Sequence, residues 1–252
     1  MPGGLLQIFS SLVKHKQKNS SLQKCLSNSY FEKTITLANI SSMIHLPHSL
    51  KTYFFKTMKG DISIEDFEKW IYTNKEAESI LNADEYLEFI SLNYKKSGAK
   101  YELYNLLKKQ VDIGEFETFK MLGLLEETKK KDEKLPYYLM EFYDLYCRGY
   151  SFLRDIGLGY GLSVEVPIGK FEANTWNELN IDQQKELLES FSPDLEIELQ
   201  RVIDWLRSKK IILTGEQNEL GHYDYEDFRT EGKKKSALWL SVKSDKKWWK
   251  FW

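Results

Sequence analysis

Residues 139–150 read LMEFYDLYCRGY and carry the most regular apolar pattern of the chain. Apolar or aromatic side chains recur there at alternating steps of three and one, a spacing that places them on one face of a helix. They are Leu139, Phe142, Tyr143, Tyr146, Cys147 and Tyr150. The pattern predicts a core helix, and it predicts that Cys147 is a small, buried, hydrophobic residue.

Helical patterns continue on both sides of this stretch. Ser63 and Asp66 resemble a helix-capping pair, and Phe67, Trp70 and Ile71 then share one helical face. Similar patterns predict helices over residues 76–81, 84–94, 101–107, 116–125, 182–191 and 193–207. The predicted fold class is therefore mainly α, a multi-helix globular domain with a minor two-stranded β element.

The β element is predicted from two short segments. Residues 162–166 alternate apolar and polar side chains before Pro167, and residues 211–214 are the second candidate strand, pairing with the first. The glycines at 157, 159 and 161 precede the first strand and are predicted to stop the core helix in a tight turn. Nucleotide-binding glycine loops have the opposite order, since they follow a strand and open a helix. Residues 215–229 are predicted to be a polar loop.

Composition divides the chain into three parts. Residues 1–54 are predicted to be a flexible or loosely docked extension, because they are rich in Ser, Asn and Lys and are interrupted at Pro47. Residues 55–230 are predicted to form the helical globular domain. Residues 231–252 are a basic, aromatic C-terminal tail that ends in KKWWKFW.

Charge follows the same division. Residues 61–228 hold 20 basic and 35 acidic side chains, a net charge of −15, whereas residues 229–252 have a net charge of +6. A body this acidic repels nucleic acid and anionic membranes, whose phosphates are bound by Lys and Arg. It attracts basic proteins instead, at rates that depend on salt. We therefore expect a protein partner and no nucleic acid.

The residues predict no catalytic, cofactor-binding or metal-ligating group. The chain has only two cysteines and four histidines, so disulfide frameworks and common zinc motifs are excluded. His45 and His48 are separated by Leu-Pro, which disfavours a shared helical face, and His222 is predicted to be a surface residue of the late loop. No apolar run is long enough to span a bilayer, so no stable membrane insertion is expected. The cysteine content is typical of a cytoplasmic protein.

Contact residues for a protein partner are predicted from exposed charge and aromatic content. Two groups are candidates, one on the first helices and one in the late loop, because carboxylates and tyrosines favour contact with Lys and Arg. The third candidate is the aromatic C-terminal tail. The residues are Glu65, Glu68 and Asp84, then Tyr223, Asp224, Tyr225 and Asp227, and finally Trp248, Trp249 and Trp252.

Five blocks of the chain are ISIEDFEKWIY (62–72), YEL (101–103), YDLY (143–146), LGYGL (158–162) and WWKFW (248–252). Together these blocks resemble bacterial immunity proteins of polymorphic toxin systems. The resemblance extends over roughly residues 50–252. It implies a cytoplasmic antitoxin that binds a cognate toxin and occludes its active site. It assigns no individual binding residue.

The preferred expectation is therefore a non-enzymatic immunity protein that neutralises a cognate, basic, nuclease-type toxin. Two alternative functions are also compatible with the sequence. The first is a structural or regulatory adaptor that is recognised through its aromatic tail. The second is a hydrolase or nucleotide-binding enzyme built around His222 or Gly157–Gly161. The sequence does not specify an oligomeric state.

Overall fold

The structure is a computed structural model that describes residues 46–230. It is mainly α-helical with one two-stranded antiparallel sheet, which confirms the predicted fold class. The predictions made for residues 1–45 and for the tail, including His45, Trp248, Trp249 and Trp252, lie outside the described residues.

The first half of the described chain is a set of short helices around one aromatic core. These are α1 (His48–Lys59), α2 (Ile64–Thr73), α3 (Lys75–Ile80), α4 (Ala83–Ile90) and α5 (Ala99–Gln110). Their buried side chains, from Leu46 to Phe116, form the N-terminal cluster. Phe67 is fully buried in it, and its ring centroid lies 5.6–6.4 Å from those of Tyr53, Phe54, Trp70, Phe89 and Tyr94.

The second half surrounds a separate core, the C-terminal cluster, formed by buried side chains from Met121 to Leu213. Its helices are α6 (Ile113–Lys129), α7 (Leu135–Cys147), α8 (Arg154–Ile156), α9 (Leu162–Glu165), α10 (Ile168–Phe171), α11 (Ile181–Glu189) and α12 (Asp194–Arg207). Strands β1 (Ile211–Gln217) and β2 (Tyr223–Asp227) complete it. Helix α6 contributes Phe116 to the N-terminal cluster and Met121 and Leu125 to the C-terminal cluster, so it joins the two halves.

Reciprocal capping pairs that begin with asparagine fix the start of one helix in each half. The Asn82 side chain accepts a hydrogen bond from the Glu85 N–H at 2.9 Å, and the Glu85 carboxylate accepts one from the Asn82 N–H at 3.0 Å. Asn180 and Gln183 form the same reciprocal pair at the start of α11. Each pair satisfies two N–H groups that a helix start leaves without partners.

The predicted turn at Gly157–Gly161 is wrong, because this segment is a π-helix between α8 and α9. Gly157 and Gly161 have helical φ angles of −65° and −59°. A Cβ atom on Gly161 would lie 2.3 Å from the Leu139 carbonyl oxygen, and one on Gly157 would lie 2.9 Å from the Tyr146 Cβ. These glycines therefore permit close packing against α7, and no left-handed turn requires them.

The predicted strand at residues 162–166 is wrong as well, since this segment contains helix α9. The prediction of a strand at 211–214 is confirmed, but its partner is β2. Antiparallel pairs join Ile211 with Asp227 and Leu213 with Tyr225. The predicted loop over residues 215–229 therefore contains the second strand of the sheet.

The domain boundary predicted at residue 55 falls inside α1. Leu46, Leu50 and Phe54 are at most 1% exposed in the N-terminal cluster, so residues 46–54 are part of the domain and not of an extension. Pro47 occupies the position just before the helix, where its fixed φ and missing N–H cost little. The proline that is predicted to interrupt the chain therefore marks a helix start.

Candidate partner-binding surface

Helix α2 carries two of the predicted contact residues on one face. Its start is fixed by the predicted cap Ser63, whose hydroxyl oxygen accepts a hydrogen bond from the Asp66 N–H at 3.1 Å. Glu65, Glu68 and Tyr72 then occupy positions i, i+3 and i+7, which lie on the same side of a helix. We call Glu65 and Glu68 the acidic row. Glu65 is exposed and Glu68 is half-buried.

The acidic row lies in a strongly acidic part of the domain. Residues 61–90 contain nine acidic and two basic side chains. The ion pairs of this region are Lys59–Asp61, Lys69–Asp66 and Lys109–Glu88. Within residues 46–230, no basic side chain forms an ion pair with Glu65, Glu68 or Asp84. These three predicted contact residues therefore have no cationic partner among the described residues.

Tyrosine hydroxyls hold α2 against α4, the helix that carries Asp84. The Tyr72 hydroxyl donates to the Ile90 carbonyl oxygen at 2.7 Å, and the Tyr86 hydroxyl donates to the Ile71 carbonyl oxygen at 3.1 Å. Burial raises the pKa of Tyr86, and the charge of Glu78 raises it further. The raised pKa keeps the Tyr86 hydroxyl protonated at neutral pH, so it continues to donate, and together with the hydrogen bond from Tyr72 it fixes the two helices relative to each other.

An apolar groove borders the acidic row at Glu65. It has a volume of about 730 Å³ and lies between the junction of α1 with α2 and helix α5. Its apolar walls include Met58, Ile62, Ile64, Tyr101, Tyr104 and Leu107. The charged residues of its lining are Glu65 and Lys100. A largely apolar cleft with a few charged groups at its margin is the usual form of a recognition site.

Tyr101 is an exposed aromatic residue of the groove that is not among the contact residues predicted from the sequence. Its side chain is 72% exposed at the groove, whereas Leu103 and Leu107 of the same helix are buried in the N-terminal cluster. A helix turns by about 200° over two residues, so Tyr101 faces away from Leu103. This rotation was available from the sequence and identifies Tyr101 as a surface aromatic residue.

The second predicted contact group lies on β2, in the other half of the molecule. Tyr223 stacks on Tyr150 with ring centroids 4.8 Å apart, and the Arg148 guanidinium lies 4.6 Å from the Tyr223 ring. The Tyr225 hydroxyl lies 2.6 Å from the Ser151 hydroxyl. Both tyrosines are half-buried and pack on their own domain, so they are poorly placed to anchor a partner.

Strand alternation separates the acidic residues of β2. Asp224 is exposed, whereas Asp227 accepts hydrogen bonds from the Arg229 guanidinium at 2.8 and 3.0 Å. That guanidinium also lies 4.3 Å from the Trp205 ring, and Arg229 is 9% exposed. Asp227 therefore holds an arginine against the core. Phe228, which follows it, is 62% exposed.

Cys147 is exposed, which contradicts its predicted burial. Leu139 and Phe142 of the same pattern are fully buried, as predicted. The pattern is correct for the first two turns of α7 and for Tyr150, which is 1% exposed just beyond the helix, but Cys147 faces solvent at the helix end. A hydrogen bond between Cys147 and Tyr143 raises the pKa of the Tyr143 hydroxyl.

The residues of the enzyme alternative lie on separate elements. Gly157 and Gly161 are buried against α7, and His222 is exposed before β2. His48 lies at the start of α1 and lines a cavity of about 480 Å³ between α1, α6 and β1. Across residues 46–230, no group of three or more His, Cys, Asp and Glu side chains is arranged to hold a metal ion.

The helices of residues 46–230 include none with both the length and the apolar character needed to cross a bilayer. The longest of them, α6, has 17 residues and carries several charged side chains. A search of protein-family models, of curated proteins and of solved structures found no match to this chain.

Proposed function

We propose that this protein is a non-enzymatic binding protein that captures a basic protein partner at the groove and the acidic row. The observation that carries the proposal is the position of Glu65. Its carboxylate has no ion-pair partner within residues 46–230, and it borders an apolar groove that also exposes Tyr101. The apolar groove can bury an apolar side chain of the partner, and the unpaired carboxylate attracts a basic partner surface.

Each part of this surface has a separate physical role. The groove provides apolar area, and an exposed tyrosine such as Tyr101 is a favoured anchor because it buries a large ring at low entropic cost. The carboxylates mainly raise the rate of association with a basic surface and reject acidic proteins. Binding through this surface is therefore expected to weaken as salt concentration increases.

The resemblance to immunity proteins supplies the class of partner. An immunity protein needs no catalytic group, because it neutralises its toxin by covering the toxin's active site. Nuclease toxins bind phosphates through basic clefts, and an acidic surface is complementary to such a cleft. The proposed partner is accordingly a basic cognate toxin of the nuclease type.

The first experiment is a pull-down with the full chain as bait, at low and at high salt. The expected result is one dominant basic protein that is released by salt and is toxic when it is expressed without the bait. Co-expression of the bait is expected to restore growth. A salt-insensitive partner, or one with an acidic surface, would contradict the electrostatic part of the proposal.

Charge reversal then tests the surface itself. Glu65→Lys and Glu68→Lys are each expected to weaken partner binding by about 1–3 kcal/mol. The matched control is Glu219→Lys, which makes the same charge change at an exposed residue between β1 and β2. Isothermal titration calorimetry measures all three affinities. Equal losses in all three variants would show that only net charge matters and not this surface.

A further inference from the structure

The C-terminal tail, residues 231–252, has the chemistry that the groove accepts. It contains seven lysines and two acidic residues, and four of its last five residues are aromatic. We propose that Lys246–Trp252 binds in the groove of its own chain and competes there with the partner. Docking of the tail stands independently, whereas the competition rests on the proposed function.

The apolar surface of the groove is the first support. Met58, Ile62 and Ile64 form its walls, and 72% of the Tyr101 side chain is accessible beside them. Trp and Phe side chains bury large apolar areas and form favourable ring contacts with Tyr. Trp248, Trp249, Phe251 and Trp252 can therefore cover a surface that residues 46–230 leave open.

Charge complementarity is the second support. Glu65 and Glu68 have no ion-pair partner within residues 46–230, and Lys246, Lys247 and Lys250 are interspersed with the tail aromatics. Each basic residue is therefore close in sequence to a ring that enters the groove. Lys100 also lines the groove, and its positive charge repels the lysines of the tail. Replacing Lys100 by an acidic residue is therefore expected to strengthen tail binding.

The tail is long enough to reach the groove. The fifteen residues 231–245 that precede the docking segment span up to ~50 Å when fully extended, and a domain of the described size has a radius of gyration of about 16 Å. A tethered ligand also experiences an effective concentration that reaches the order of mM. Weak contacts, which separate molecules would not form at micromolar concentration, can therefore populate the docked state.

Zero-length cross-linking with a carbodiimide tests the docking in the purified full chain without any partner. This reagent joins a lysine amine to a carboxylate in contact with it. We expect tail lysines to be joined to Glu65 and Glu68 in monomeric protein. Cross-links to Glu219, which is much closer to the tail in sequence, are expected to be about tenfold fewer because it does not line the groove.

Three full-chain variants sharpen the test. Replacing Trp248, Trp249 and Trp252 together by Ser is expected to reduce the groove cross-links about tenfold. Lys100→Glu is expected to increase them about threefold, while Lys185→Glu, a change on the exposed side of α11, leaves them unchanged. Circular dichroism verifies that each variant is folded.

Three results would overturn the proposal. The first is equal cross-linking of Glu65 and Glu219, and the second is cross-linking only between copies in a mixture of isotopically light and heavy chains. The third is cross-linking of Glu65 only to lysines of residues 1–45, which would assign the groove to that segment. Loss of partner binding in Glu65→Lys without tail docking would leave the proposed function intact, so the two failures are distinguishable.

Discussion

Different kinds of contact stabilise the interior of each half of the molecule. In the N-terminal cluster, aromatic rings and tyrosine hydroxyls join short helices, and Gly60 and Gly98 have no heavy atom within 4 Å of an added Cβ. In the C-terminal cluster, backbones approach closely, as at Gly157 and Gly161. The acidic side chains of α2 are left available for a partner in the first half. Aromatic residues of β2 are used for internal packing in the second.

The largest expected effects come from removing the central ring of either core. Phe67→Ala and Phe142→Ala each empty a site that is 0% exposed, and each is expected to cost about 3–5 kcal/mol of unfolding free energy. Because α6 contributes to both clusters, we expect a single unfolding transition in each variant. Urea unfolding followed by circular dichroism and tryptophan fluorescence measures this. Two separate transitions would show that the halves fold independently.

A smaller effect tests the close backbone contact of the second half. Gly161→Ala places a Cβ atom 2.3 Å from the Leu139 carbonyl oxygen, and the overpacking is expected to cost about 1–3 kcal/mol. Gly123→Ala is the control, because this helical glycine has no heavy atom within 4 Å of the added Cβ. The control is expected to gain about 0.5–1 kcal/mol. Similar changes in both variants would refute the packing role of Gly161.

The same substitution of a capping asparagine can be made in each half and its effects on stability compared. Asn82→Ala and Asn180→Ala each remove a side-chain cap, and each is expected to cost about 1 kcal/mol of unfolding free energy. Chemical denaturation of the two variants gives the comparison. A loss confined to one of them would show that the helix start in the other is fixed by packing instead of by its cap.

The smallest effect is a pH dependence in the second half. Burial raises the pKa of Glu198, although the adjacent Arg201 guanidinium, at 2.7 Å, opposes the shift. The folded state therefore binds a proton more tightly than the unfolded state, so this group's contribution to stability falls as pH rises above the unfolded pKa. Glu198→Gln removes this group's effect on the pH dependence of the unfolding free energy, while it keeps an oxygen acceptor for Arg201.

Unfolding free energies of the wild type and Glu198→Gln, measured between pH 4 and pH 7, test this prediction. The stability of the variant relative to the wild type is expected to increase with pH. A constant difference would contradict the raised pKa, and a decreasing difference would indicate that Arg201 dominates. The loss of charge on the Arg201 pair affects the size of the difference but not its direction with pH.

Local signals predicted most helices correctly. The cap at Ser63, the spacing of Phe67 and Ile71, and the pattern of Leu139 and Phe142 depend on neighbours within about one helical turn. The structure confirms these helices to within a few residues at their ends. The acidic row of α2 was also predictable, because residues three positions apart on a helix share a face.

Contacts between distant segments decided the rest. A glycine serves a tight turn and a close helix crossing equally well, and only the approach of α7 distinguishes them at Gly161. The partner strand of β1 was decided by tertiary structure, which places β2 and not residues 162–166 beside it. The groove depends on α1, α2 and α5 meeting around Tyr101.

Sequence by itself determined the helical class, the charge and the side of α2 that carries Glu65 and Glu68, because these follow from spacing along one chain segment. Tertiary structure decided which of the predicted contact residues remain accessible. Tyr223 and Tyr225 pack on Tyr150 and Phe152, whereas Tyr101 is exposed at the groove. Exposure depends on what other segments cover, and spacing within one segment does not encode it.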